Sequence, residues 1–73
     1  MGFSKDVFAA KLRAKRSALH VSQAELADMA GVSKDLIAKY ELGTYTPSGA
    51  SVFKLCNALG CDPNDLMGWP ETA

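Results

Sequence analysis

Apolar residues recur at intervals of three and four along the chain, and most such runs open on a serine or aspartate and stop at a glycine. Phe8, Leu12 and Leu19 fall on one face at helical spacing, which predicts a first helix starting after Ser4 as N-cap and running to about Leu19. Lys11, Arg13 and Lys15 project from its other faces. His20 stands where this helix ends and reads as a polar C-terminal residue rather than a catalytic one.

Ser22 and Glu25 make an S-x-x-E capping box, in which each side chain takes up the other's exposed backbone N–H. Val21 and Leu26 flank it as a hydrophobic staple, and Gly31 ends a short second helix. The pattern repeats at once: Ser33 caps a third helix, Val32 and Ile37 staple it, and Gly43 stops it. Two short helices joined only through Gly31-Val32-Ser33 form a helix-turn-helix unit. Thr44 to Pro47 then reads as a polar loop whose proline cannot extend the third helix.

Ser48 or Gly49 opens a fourth helix with Val52, Leu55, Cys56 and Leu59 inward and Gly60 as its stop. Asp62 is expected to cap a fifth, with Pro63 at its first position and Cys61 and Leu66 as a staple. The expected architecture is all-α, a compact five-helix domain over residues 1–73 with its core at about 4–67 and a short tail at 68–73. Trp69, in that tail, serves equally as a core cover or as part of a dimer surface with Leu66 and Met67.

Composition narrows the functional classes. A chain of 73 residues supports a core of only about 3–5 kcal/mol, so dimerisation, a ligand or very regular helix packing should assist it. No apolar run reaches the length of a signal core or a membrane span, which makes the cytoplasm the default compartment. Cys56 and Cys61 lack the further ligands of a zinc site and read as small core residues, so no metal or cofactor is expected. His20 has no paired nucleophile or carboxylate constellation, which argues against an enzyme. The formal net charge is zero, but Lys5, Lys11, Arg13, Lys15 and Arg16 crowd the N-terminal stretch while Asp62, Asp65 and Glu71 make the C-terminal stretch acidic.

Helix geometry sorts the third helix into two faces. At about 100° per residue, Lys34, Asp35, Ala38, Lys39 and Leu42 occupy one arc of roughly 140°. Leu36, Ile37, Tyr40 and Glu41 occupy the opposite arc. The first arc suits groove reading, and it equally suits a solvated helix face. Glu41 is the exception on the inner side, a negative charge in the last turn where it opposes the helix dipole. It needs a cation, and Arg16 can engage it through two parallel hydrogen bonds, a structural clamp between the first and third helices.

From Ser22-Gln-Ala-Glu-Leu-Ala through Gly31-Val-Ser, Ile37, Tyr40-Glu41 and Gly43 to Pro47, the chain resembles the phage-repressor and Cro type, or XRE-type, helix-turn-helix family. Arg16 upstream and Leu55, Leu59-Gly60 and Asp65-Leu66 downstream extend the resemblance over about residues 8–67. It implies a lambda-repressor-like fold and double-stranded DNA as partner. It also implies that Gln23 bonds a phosphate, that Ser33 lies close to the DNA, that Lys34, Asp35 and Lys39 read base edges, and that Arg16 and Glu41 are structural. Ala38, on the same arc, joins the base-facing set, and Ser22, Thr44 and Thr46 join the phosphate-facing set. Two departures stand out: the loop residues Thr44, Tyr45 and Thr46 are uncharged, and Leu36 is larger and more apolar than the small hydroxyl residue usual there.

The implied mechanism has two parts. Ser22, Gln23 and the free N–H groups at the start of the second helix dock on a phosphate, favoured by the helix dipole. Lys34 and Lys39 donate to guanine, and Asp35 either accepts from cytosine or simply stabilises its helix N-terminus. The expected working form is a homodimer on a palindromic operator, a transcriptional regulator of the repressor kind associated with the nucleoid. The competing class is a protein-interaction module, or an antitoxin-like partner, that keeps the fold with little DNA binding.

Overall fold

The computed structural model describes residues 5–67. They form five helices: α1 Lys5–Ala18, α2 Gln23–Ala30, α3 Lys34–Glu41, α4 Gly49–Leu59 and α5 Pro63–Met67. The expected tail at 68–73, with Trp69, lies outside the described residues, as does the Ser4 cap.

Local signals account for the helix boundaries. At α2, Ser22 N donates to Glu25 Oε1 at 2.8 Å and Glu25 N donates to Ser22 Oγ at 3.0 Å, the reciprocal box. Ser33 Oγ accepts from Leu36 N at 3.1 Å and Ser48 Oγ accepts from Ser51 N at 3.1 Å, which opens α3 and α4 in the same way. At α5 the expected Asp62 side-chain cap is replaced by the opposite bond, Asp62 N donating to Asp65 Oδ2 at 3.1 Å. A carboxylate in the first turn relieves an exposed amide as well as a capping one does, and it meets the helix dipole favourably.

α1 packs on α3 and α5, α2 packs on α3 and α4, and α4 packs on α5. Phe8, Leu12, Leu26, Ile37, Leu55 and Leu66 are the largest fully buried side chains. The Phe8 and Tyr40 rings meet edge to face at 5.5 Å, tying α1 to the inner arc of α3. Leu19 does not join this core: α1 stops at Ala18, and Leu19, already in the turn, is 44% exposed. Leu66 is fully buried within its own chain, which removes it from the surface available for dimerisation.

The end of α1 carries local strain. α2, α3 and α4 are each followed by a glycine at positive φ, whereas α1 is followed by His20 at φ 58°. A side chain in that left-handed region costs about 1–2 kcal/mol, which glycine avoids at the expense of a more flexible unfolded chain. His20→Gly should therefore raise stability by about 0.5–1 kcal/mol, read as a higher urea midpoint at unchanged slope.

Gly43 meets two constraints at once. Its φ is 75°, and a Cβ placed there would lie 3.0 Å from Asp6 Oδ1 in the first turn of α1. The carboxylate can swing aside, so the backbone conformation dominates, and Gly43→Ala should cost about 1–2 kcal/mol in the same measurement.

Candidate nucleic-acid interface

α3 is divided by burial along the arcs that its sequence defines. Ile37, Tyr40 and Glu41 are buried and Leu36 is half-buried against the core. Lys34, Asp35 and Leu42 are exposed, and Ala38 and Lys39 are half-buried. The size of Leu36 is thus used in packing on the inner flank, not on the outer arc.

The inner flank is held by a polar cluster centred on Glu41, which is only 5% exposed. Arg16 Nε donates to Glu41 Oε2 at 2.6 Å and Arg16 Nη2 donates to Oε1 at 3.0 Å, a two-pronged pair. Arg16 Nη1 reaches the Val21 carbonyl at 3.0 Å, so the same guanidinium also secures the turn into α2. The contact with Glu41 raises the Arg16 pKa, against the opposing effect of burial. Gln23 Nε2 donates to Glu41 Oε1 at 3.0 Å, bringing the first residue of α2 into the cluster. Arg13 Nη1 donates to the Glu41 carbonyl, one of the backbone acceptors a helix C-terminus leaves unmatched. Two cations therefore face the negative end of α3. Arg13, exposed on α1 away from the Phe8–Leu12 face as its spacing places it, reaches this cluster through that bond.

Gln23 is oriented by this network. One Nε2 proton bonds Glu41, and the second remains for an external acceptor. At the start of α2 the box already occupies the amides of Ser22 and Glu25, so only those of Gln23 and Ala24 remain for an anion. The Glu25 carboxylate at the same end weakens that anion site.

The outer arc has its own internal contacts. Lys39 Nζ lies 3.3 Å from Asp35 Oδ2, an exposed pair with the acidic partner one turn earlier. Lys39 Nζ also sits 5.6 Å from the centre of the Tyr45 ring. The loop reaches this position because Gly43 turns the chain and Thr44 N donates back to the Lys39 carbonyl at 3.1 Å. Tyr45, half-exposed beside Lys39, is a member of this face that side-chain spacing on one helix does not reveal. Lys34 has no polar partner among the described residues. Thr44, Thr46 and Ser48 are exposed around the loop and the α4 N-terminus, while Pro47 is buried and anchors the loop.

A helix-turn-helix family model matches residues 12–66 of the chain. Over 57 residues, 78% of its length, the chain is 37% identical to repressor protein C2 of Salmonella phage P22, and it spans 26% of that repressor. It is similar to the restriction-modification controller protein C.AhdI from Aeromonas hydrophila at 31% identity and a TM-score of 0.82, over 85% of this chain and 94% of that one. It is also similar to the P22 c2 repressor protein in complex with a synthetic operator at 34% identity and a TM-score of 0.79, over 84% of this chain and 92% of that one. The five helices thus adopt the lambda-repressor-like fold, with α2 and α3 as its helix-turn-helix. The chain belongs to the phage-repressor and Cro type, or XRE-type, helix-turn-helix family.

Proposed function

We propose that the chain binds duplex DNA in a sequence-dependent manner as a transcriptional regulator, with α3 in the major groove, and that it has no enzymatic role. One observation carries this reading: α3 presents exposed Lys34 and Asp35 and half-buried Lys39 on one arc while Arg16, Gln23 and Glu41 anchor its opposite flank. Rigid support behind an exposed donor-and-acceptor face is what direct readout of base edges needs. The likeness to a repressor whose structure contains a synthetic operator supports it.

Contacts divide by role. The phosphate contacts fall to the second Nε2 proton of Gln23 and to the hydroxyl protons of Ser22 and Ser33, which their internal bonds leave free to donate. Thr44 and Thr46 extend that set along the loop. Lys34 and Lys39 donate to guanine O6 and N7, Asp35 accepts from cytosine N4, and Ala38 allows close approach or meets a thymine methyl. With few cations near the groove, one copy binds weakly. The working form is a homodimer whose two α3 helices enter major grooves about 34 Å apart on a palindromic operator. Such a protein works where DNA lies, in the cytoplasm at the nucleoid. Among the described residues, no helix is long and apolar enough to cross a membrane.

The test is a binding titration against mixed-sequence duplexes at several salt concentrations. Affinity should fall linearly on a logarithmic scale as salt rises, because phosphate contacts release counterions. Absent or salt-insensitive binding would favour the protein-interaction reading, for which Leu42 at 77% and Phe53 at 64% exposure are the available surface.

A further inference from the structure

The C-terminal end of α4 brings the two cysteines of the chain together. Gly60 N and Cys61 N both donate to the Cys56 carbonyl, at 2.8 and 3.1 Å, and Gly60 adopts φ 69°. This six-residue closure faces the side chain three places inside the helix end toward the one just beyond the glycine. Those two positions frequently hold an apolar pair. Here they hold thiols, both free, with Cys56 buried in the core cluster and half-buried Cys61 packed against that cluster. Beside them opens a recess of about 340 Å³, lined also by Asn57, Asp62 and Asp65. Among the described residues no three His, Cys, Asp or Glu side chains converge to hold a metal ion.

We propose that Cys56 and Cys61 are a redox-active dithiol, converted by a low-molecular-weight disulfide into an intramolecular disulfide that staples the α4–α5 turn. Cys61, the more open of the two, acts first. It loses its proton to solvent, attacks one sulfur of the reagent, and forms a mixed disulfide as the reagent's own S–S bond breaks and one thiolate leaves to be protonated. Cys56 then loses its proton to solvent and attacks the Cys61 sulfur, expelling the second thiolate, which is protonated in turn. Two protein thiols are oxidised, one small disulfide is reduced to two thiols, and protons balance. Burial first, then Cys61 and the carboxylates of Asp62 and Asp65, push the Cys56 thiol up to about 12 in the reduced pair, which leaves Cys61 to react first. The site sits at the opposite end of α4 from its Ser48 cap, about 16 Å along the axis.

Native protein is incubated with oxidised glutathione, quenched in acid and weighed intact by mass spectrometry. The expected end point is a mass lower by two hydrogens, a digest containing a Cys56–Cys61 linked peptide, and recovery of the starting mass with a reductant. Cys56→Ser should stop as a single glutathione adduct on Cys61, and Cys61→Ser should stay largely unmodified while folded. Should Cys56→Ser fail to fold, the other two proteins decide the matter. A wild-type end point of stable adduct, of interchain dimer or of no reaction would overturn the proposal. So would a folded Cys61→Ser protein that reacts as fast as wild type.

Discussion

Arg16→Ala is expected to destabilise the domain by about 3–5 kcal/mol, because it leaves a nearly buried carboxylate without its cation. Glu41 would keep only the Gln23 amide, and its charge would again oppose the dipole at the end of α3. A chain of this size is stable by about 4–11 kcal/mol in total, so the loss takes much or all of the folded population. Where the variant still folds, its Tm should fall by about 15–30 °C. Glu41→Ala should cost less than Arg16→Ala, since Arg16 at 22% exposure recovers some solvent and keeps the Val21 carbonyl. Glu41→Gln should be milder still. The two alanine changes together should cost clearly less than their sum, with a coupling of about 1–3 kcal/mol in a double-mutant cycle. Additivity within about 0.5 kcal/mol would mean the pair is not a clamp.

Lys34→Ala should weaken binding to the preferred duplex by about 1–3 kcal/mol, roughly a 5- to 150-fold loss, with stability changed by less than about 0.5 kcal/mol. Lys34 is exposed in the first turn of α3 and has no partner among the described residues to give up, so its whole donor capacity is available to a base. Lys39 differs: it already meets Asp35 and the Tyr45 ring. Its loss should be smaller, because an exposed pair of this kind is worth only about 0.3–0.5 kcal/mol yet must be rearranged on binding. Parallel fluorescence titrations of wild type, Lys34→Ala and Lys39→Ala on one duplex, beside urea unfolding of each, separate lost contacts from lost folding. Equal weakening on every duplex tested would recast Lys34 as a phosphate contact.

Local chemistry was the most readable part of the sequence. The capping serines, the box at Ser22 and Glu25, and the stops at Gly31, Gly43 and Gly60 each state a helix boundary within a few residues, and the structure keeps them. The inner and outer arcs of α3 follow from helical period alone, and the need of Glu41 for a cation follows from its place against the dipole. Contacts between elements were less readable. Spacing within α1 cannot reveal that Arg13 reaches the end of α3, nor that Leu19 falls past the helix end and faces solvent. Gln23 at the head of α2 carries no local mark of its bond to Glu41. Tyr45 joins the α3 face only because the loop after Gly43 folds back, a matter of backbone closure that residue type does not encode. The thiol pair could have been found from the C-cap rule, since Cys56 and Cys61 flank Gly60 at the two positions that rule brings together.

The most direct measurement is selection of preferred sites from a pool of random duplexes by the wild-type protein, with Lys34→Ala and Lys39→Ala carried through the same rounds. A two-fold symmetric site should emerge, with half-sites one helical turn apart, and each variant should lose preference at its own position in the half-site while keeping the rest. If both variants return the wild-type site unchanged, or if no site emerges from wild type, α3 does not read DNA through its outer arc.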